Sequence, residues 1–109
     1  MPSAYVPEAG DIVWLHFSPQ AGHEQAGHRP ALVLSPASYN RRRGMMVCCP
    51  MTSRIKGYPF EVVVSPESAV LSDQVKSLDW RVRQAKFKGK VSPKDLETVR
   101  AKVSVLLGL

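Results

Sequence analysis

GDIVWLHF, the stretch from Gly10 to Phe17, sets the pattern of this sequence. Gly10 and Asp11 are typical turn residues, and residues 12–17 are rich in the aromatic and β-branched side chains that favour strands. Similar short runs follow at residues 31–34, 45–49 and 60–64, around 70–71, at 75–78, and within 80–90, which predict one more strand or a short hairpin. The chain is therefore predicted to be mainly β, with five to seven short strands.

The segments between these runs carry their own signals. Residues 18–28 contain two glycines, one proline and no periodicity, which predicts a loop of about ten residues, a length that is often functional. Pro30 is predicted to begin the second strand, where its missing donor does least harm. Pro50 is predicted to end the third strand, before a polar loop over residues 51–59. The basic YNRRRG segment, residues 39–44, is predicted to be a turn.

The spacing of apolar residues changes from that of strands to that of a helix near the C-terminal end. There Ser92, Pro93 and Asp95 have the spacing of a helix start. The apolar residues that follow fall on one helical face, and a glycine suited to end the helix comes after them: Leu96, Val99, Val103, Leu106, Leu107 and then Gly108. Short strands with one C-terminal helix predict a compact, strongly bent β-barrel with the helix against it. The length favours one domain spanning residues 1–109.

Composition narrows the class of protein. The chain has 109 residues, 44% hydrophobic and 22% charged, which indicates a globular domain. Fifteen Lys and Arg against nine Asp and Glu give a net charge of +6, which attracts polyanions. RNA, DNA and an acidic protein tail all fit this charge, and so does a merely solubilising surface.

Cysteine usage and hydropathy indicate a compartment. Cys48 and Cys49 are adjacent, so on a strand their side chains point to opposite faces and a disulfide between them is not expected. This pattern suits a reducing cytosol. No segment resembles a signal peptide, and no apolar run approaches the roughly 18 residues of a membrane span. The protein is predicted to be cytoplasmic, without a membrane partner.

A series of short motifs runs through the chain in order. They are Tyr5-Val6-Pro7, Gly10-Asp11, Trp14, EQAGHRPA (residues 24–31), Leu34-Ser35-Pro36, Tyr39-Asn40, Pro50-Met51-Thr52, KGYPFEV (residues 56–62), DQVKS (residues 73–77), Trp80-Arg81 and the closing amphipathic helix. Together they resemble the MazF/PemK family of toxin endoribonucleases, and the resemblance covers nearly the whole chain. It implies an SH3-like barrel of the MazF/PemK/CcdB toxin type and a two-fold homodimer.

The same resemblance implies a function. It implies a type II toxin that is a sequence-selective endoribonuclease, or mRNA interferase, acting on single-stranded RNA. It also implies a MazE-like antitoxin whose flexible, acidic C-terminal tail covers the RNA site. The segment between Val64 and Asp73 is shorter than in the better-known members, which leaves open the local loop and any base preference that it sets.

Metal-free RNA cleavage uses the substrate's own 2′-hydroxyl as nucleophile. The enzyme must accept that proton, protonate the leaving 5′-oxygen and stabilise the charge that develops on the phosphorus-centred transition state. The expected products carry a 2′,3′-cyclic phosphate and a 5′-hydroxyl. The chemistry needs no cofactor, and none is predicted.

Three residues are the catalytic candidates. Arg29 carries a permanent charge that can grip two phosphate oxygens, and its position before Pro30 confines its backbone to extended geometry at a predicted loop-to-strand junction. Thr52 follows the predicted end of the third strand and can donate a hydrogen bond to a phosphate oxygen. Glu24 lies in the long loop and could accept the 2′-hydroxyl proton. The family motif, more than the residue type, supports Arg29 and Thr52, whereas an acid in a loop such as Glu24 is usually just solvated.

A second set is assigned to RNA contact: His28, Gln74, Lys56, Tyr58, Asp73, Arg54 and Lys76. His28 could instead exchange protons, and Asp73 is left between acid–base work and a structural hydrogen bond. Tyr58 could stack on a base, whereas Trp14 and Phe60 are predicted to belong to the barrel core. Other cations that could track phosphates are Arg41, Arg42, Arg43, Arg81, Arg83, Lys86 and Lys88.

A metal site is not predicted. The soft ligands of the chain are His16, His23, His28, Cys48 and Cys49, and their spacing matches no ligand pattern.

Two rival functions share the predicted fold. CcdB-like toxins poison DNA gyrase through a C-terminal tail that carries a tryptophan, but residues 103–109 contain no aromatic residue. A plain SH3-like binding module would lack enzyme activity. The sequence leaves open the RNA recognition sequence, the identity of the antitoxin, and which residue is the general acid and which the base.

Overall fold

A computed structural model describes residues 5–17 and 27–109. Its strands are β1 (Asp11–Phe17), β2 (Gly27–Val33), β3 (Met45–Thr52), β4 (Glu61–Ser65), β5 (Ser68–Leu71), β6 (Lys76–Asp79) and β7 (Lys86–Lys90). The helices are α1 (Ala37–Arg43) and α2 (Pro93–Leu107), and a 3₁₀ turn covers Ser72–Gln74.

The strands form one curled antiparallel sheet in the order β4-β5-β3-β2-β1-β7, with β6 also paired to β3. The central strand β3 pairs with β6 along residues 45–48, with β2 along 48–50 and with β5 at 51–52. Because β3 changes neighbours along its length, the sheet bends into a half-barrel. The predicted fold class, mainly β with a C-terminal helix, is confirmed.

Alternation along the strands divides the core between two faces of the sheet. One cluster contains Val13, Leu15, Ala31, Val33, Met46, Cys48 and Trp80, and the other contains Leu32, Leu34, Cys49, Val62, Val70 and Val99. The adjacent cysteines thus lie in different clusters, and both are free thiols, as the strand alternation predicted. Burial raises the pKa of Cys48 to about 11 and that of Cys49 to about 12. Neither thiol is therefore suited to form a reactive thiolate near neutral pH.

The predicted turn over residues 39–44 is wrong, because this segment lies within a helix and its end. Gly44 closes α1 in the left-handed region, with φ +71°, and its backbone N–H donates to the Asn40 carbonyl at 2.9 Å. The three arginines of α1 occupy its last turn, where positive charge complements the helix dipole. The three arginines therefore form the end of a helix, and only Gly44 has a turn conformation.

Asn40 fastens α1 to the rest of the molecule and is fully buried. Its Nδ2 donates to the carbonyls of Pro7 (2.8 Å) and Ser35 (3.0 Å), and its Oδ1 accepts from the Ser35 hydroxyl at 2.6 Å. Its own carbonyl accepts from the indole N–H of Trp80 at 2.8 Å. This side chain satisfies buried polar groups on two other segments of the chain.

The Asn40→Ala variant is therefore expected to lose about 3 kcal/mol of unfolding free energy, since it leaves buried carbonyls without donors. Urea unfolding monitored by circular dichroism measures the loss. Arg42→Ala, an exposed change on the same helix, is the matched control and should cost less than about 0.5 kcal/mol. A loss below about 1 kcal/mol for Asn40→Ala would show that the network does not hold α1 in place.

The predicted start of the second strand and the predicted end of the third strand are wrong, and both had been set at a proline. β2 begins at Gly27, three residues before Pro30, and β3 continues two residues past Pro50 to Thr52. Pro30 faces Trp14 across β1–β2, and Pro50 faces Ala31 across β2–β3. An antiparallel strand leaves alternate N–H groups unused on each edge, so a proline is tolerated at such a position.

α2 begins and ends as predicted. The Ser92 hydroxyl accepts from the Asp95 N–H at 3.1 Å, Pro93 is the first helical residue, and Gly108 ends the helix with φ +76°. Val99 is fully buried, but Leu106 and Leu107 are 42% and 59% exposed, so the predicted apolar face packs on this chain only in part. In the described residues, no helix is long and apolar enough to cross a membrane.

Candidate functional site

A cleft of about 760 Å³ opens where β2 and β3 separate. The β2–β3 ladder ends at the pair Ala31–Pro50, and the same register continued by two positions places Arg29 opposite Thr52. There β3 pairs with β5 instead, through Thr52 and Ala69. The residues that line this first cleft are Trp14, His28, Arg29, Pro30, Met51, Thr52, Ser53, Arg54, Glu67 and Ser68.

Arg29 lies inside β2 and not at the predicted loop-to-strand junction. Its backbone faces Leu15 of β1, so the β1–β2 ladder fixes the direction in which it leaves the sheet. Period-two alternation puts Arg29 and Thr52 on the same face of the sheet. Arg29 is exposed, and the one side-chain ion pair within residues 5–17 and 27–109 joins Lys90 to Asp11. No described carboxylate therefore forms an ion pair with Arg29, whose charge is open to an anion.

A second, smaller cleft of about 260 Å³ continues the first, because Thr52 and Arg54 line both. Its other lining residues are Lys56, Tyr58, Glu61, Leu71, Asp73 and Gln74. Six of the seven residues assigned to RNA contact line one of the two clefts: His28, Arg54, Lys56, Tyr58, Asp73 and Gln74. The structure thus brings together, in one continuous surface, residues that are up to 46 positions apart in the chain.

The loop after β3 is held by backbone hydrogen bonds. The Glu61 carboxylate accepts from the N–H groups of Lys56 (3.0 Å) and Gly57 (2.8 Å), and the Thr52 hydroxyl accepts from the Arg54 N–H at 3.0 Å. Gly57 has φ +79°, a conformation that favours glycine. The Lys56 ammonium lies 5.9 Å from the centre of the Tyr58 ring. The loop is therefore shaped without neutralising the Lys56 and Arg54 side chains.

Some predicted residues fall elsewhere. Lys76 lies on β6, opposite Cys48, and lines neither cleft. Glu24 lies outside the described residues, so its predicted role stays a prediction. Trp14 and Phe60 were predicted to belong to the core, but both are only half-buried, and Trp14 lines the first cleft with the Lys88 ammonium 5.1 Å from its ring centre.

Sequence reasoning missed several residues of the first cleft, among them Glu67 and Ser68. The segment between Val64 and Asp73 forms a tight β4–β5 hairpin, in which Ser65 faces Ser68 and the tip carries Glu67. This hairpin brings a carboxylate into the cleft that contains Arg29. The Ser-Pro-Glu-Ser sequence indicates a turn, but only the pairing of β5 with β3 shows which site the turn adjoins.

The three arginines of α1 lie on another part of the surface. Arg41, Arg42 and Arg43 lie on α1, next to the first residue of β3, whereas Thr52 is its last residue. Seven steps along a strand span about 23 Å. These arginines therefore lie well away from the clefts. In the described residues, no group of three or more His, Cys, Asp and Glu side chains could hold a metal ion.

Known proteins resemble this chain along most of its length. The model of a family described as "PemK-like, MazF-like toxin of type II toxin-antitoxin system" matches residues 8–107. The endoribonuclease toxin MazF of Escherichia coli K12 is 53% identical over 99% of this chain and 100% of its own length. The chain belongs to the PemK/MazF toxin family. The predicted family and the predicted enzyme class, an endoribonuclease toxin, are thereby confirmed.

Other proteins support the assignment to the PemK/MazF family. The endoribonuclease PemK of Escherichia coli is 32% identical over 92% of this chain and 81% of its own length. A crystal structure of MazE–MazF from Deinococcus radiodurans contains a chain that is 54% identical, with a TM-score of 0.91, over 97% of this chain and 99% of that one. An endoribonuclease from a mycobacterial species shares the fold, with a TM-score of 0.75 at 21% identity.

Proposed function

We propose that this MazF-type toxin cuts single-stranded mRNA at specific sequences, without a metal, and so inhibits translation and growth in the cytoplasm. The 2′-hydroxyl of the substrate attacks the adjacent phosphate, giving a 2′,3′-cyclic phosphate and a 5′-hydroxyl. The observation that carries this proposal is the first cleft, which Arg29 and Thr52 both line just beyond the last β2–β3 pair, Ala31–Pro50.

Each residue has a step in this mechanism. Arg29 binds the scissile phosphate and stabilises the charge of the transition state, which a permanently charged planar group does well. Thr52 donates a hydrogen bond to a phosphate oxygen. Glu24 accepts the proton of the 2′-hydroxyl, and Glu67, which lines the first cleft, is the alternative acceptor. His28 also lines the first cleft, and we assign to it the protonation of the leaving 5′-oxygen.

The second cleft continues the path of the RNA strand. Lys56 and Arg54 pair with phosphates on either side of the scissile bond, and the exposed Tyr58 ring offers a stacking surface for an unpaired base. Gln74 and Asp73, which line the same cleft, contact base edges. Lys76, outside both clefts, contributes only through its charge.

The proposed partner is a MazE-like antitoxin with an acidic C-terminal tail. Structures from Deinococcus radiodurans contain MazE together with MazF, and their MazF chains have the fold of this chain. The clefts supply cations that no described carboxylate pairs with, so an acidic tail can occupy the path of the RNA. We further propose that the toxin is a homodimer, as the family resemblance implies.

Incubation of the purified protein with a long single-stranded RNA tests the activity. The expected result is a set of discrete cuts that persist in EDTA, because no step of the proposed chemistry uses a metal. Sequencing of the fragment 5′ ends should show one short recognition motif, and those ends should accept phosphate from a polynucleotide kinase. Intact RNA would favour a binding module, and random fragments would contradict sequence-specific cleavage.

Thr52→Ala is expected to lower the cleavage rate by about 10–100-fold, because it removes a hydrogen bond to a charged oxygen. Thr52→Ser keeps the hydroxyl and should retain most of the activity. Single-turnover cleavage of a short RNA containing the mapped site measures both variants. Equal losses in the serine and alanine variants would show that the methyl group, and not the hydroxyl, matters.

A further inference from the structure

His16 and His28 lie directly opposite each other on β1 and β2. The His16 N–H donates away from β2, to the Arg83 carbonyl at 2.8 Å. The two histidines therefore form a non-hydrogen-bonded pair, the type in which opposite side chains lie closest. Their ring centres are 5.6 Å apart, the rings are inclined at 84°, and both side chains are exposed.

We propose that this histidine pair binds one transition-metal cation of the class that prefers imidazole, for which Zn²⁺ is the probe. Zinc–nitrogen bonds are about 2.0–2.1 Å long, so two imidazoles on one tetrahedral cation have ring centres roughly 5 Å apart. The observed 5.6 Å is close to that separation, and exposed side chains can rotate to aim one nitrogen each at the cation. Water would fill the remaining positions.

The surroundings allow a cation at this place. Alternation points the two histidine side chains to the opposite sheet face from Arg29, although His28 and Arg29 both line the first cleft. The site is a pair and not a full cage, which fits the absence of any three-ligand group among the described residues. Such a site binds a cation reversibly and has no part in the fold.

A cation bound to the histidine pair would affect the first cleft. His28 lines the first cleft, whereas His16 does not. A bound cation holds the His28 imidazole against His16 and so withdraws it from the cleft. Zinc is therefore expected to slow RNA cleavage, a consequence that rests on the proposed function. The binding itself goes beyond that function and does not depend on it.

Titration of Zn²⁺ into the full-length protein at pH 7.5, followed by calorimetry, tests the binding. We expect one zinc per chain in the unmodified protein, and an affinity at least about tenfold lower in both His16→Asn and His28→Asn, because each loses one arm of the chelate. His23→Asn removes the third histidine of the chain and is the matched control, with affinity within about twofold of the unmodified protein. Thermal unfolding confirms that each variant is folded.

Unchanged zinc affinity in His16→Asn would overturn the proposal, and so would an equal loss in all three variants, which would indicate a different ligand set. Cleavage gives the second readout. His16→Asn should cut RNA at the unmodified rate without zinc and should resist zinc inhibition. If the unmodified protein binds zinc through the pair but cuts no RNA, the proposed function fails while the metal site stands.

Discussion

Arg29→Ala is expected to reduce RNA cleavage by about 100–1,000-fold, the usual cost of removing one preorganised donor to a developing negative charge. Arg29 is exposed at the rim of the first cleft, and its backbone is held in the β1–β2 ladder. The substitution removes no buried contact, so the fold should be unchanged. Single-turnover cleavage measures the rate, and the far-ultraviolet circular dichroism spectrum with the melting temperature checks the fold.

Two further arginine variants sharpen this prediction. Arg29→Lys keeps the charge but not the planar fork, and should recover only part of the lost rate. Arg43→Ala removes an exposed arginine from α1, well away from the cleft, and should cut RNA at close to the unmodified rate. If Arg43→Ala were as slow as Arg29→Ala, total charge would matter more than position. Full activity in Arg29→Ala would remove this residue from the chemistry.

The sequence predicted much of the fold because strands and α2 depend on local patterns. The serine cap and the glycine stop of α2 are local hydrogen-bonding signals, and both are where the sequence put them. α1 was missed because its stability comes from Asn40, whose partners Pro7 and Trp80 are distant in the chain. No local propensity reports such contacts.

In the candidate site, too, local sequence signals were predicted and contacts between distant residues were missed. The family motifs led to Arg29 and Thr52, which come to line one cleft because β2 and β3 pair as far as Ala31 and Pro50 and then separate. Glu67 was missed because its place in the cleft depends on how the β4–β5 hairpin pairs with β3. The histidine pair was missed because eleven residues separate His16 from His28, and only strand register makes them neighbours. Spacing along the chain cannot show contacts that register creates.

An RNA that carries one deoxynucleotide, placed immediately 5′ of the mapped cleavage site, is expected not to be cut. The change removes only the attacking hydroxyl, so Arg29 and Thr52 still find the same phosphate. Binding should therefore remain within about threefold of the all-RNA substrate, because phosphate contacts supply most of the affinity. Cleavage should fall by at least about 1,000-fold, since no nucleophile is left.

A deoxynucleotide two positions further from the site, in the same RNA, is the matched control and should be cut normally. The decisive measurement is the single-turnover rate on these two oligonucleotides, in EDTA, with binding measured in parallel. We predict tight binding of both and cleavage of the control alone. Equal cleavage of both would mean that a group other than the neighbouring 2′-hydroxyl attacks the phosphate, and would contradict the mechanism proposed for Arg29 and Thr52.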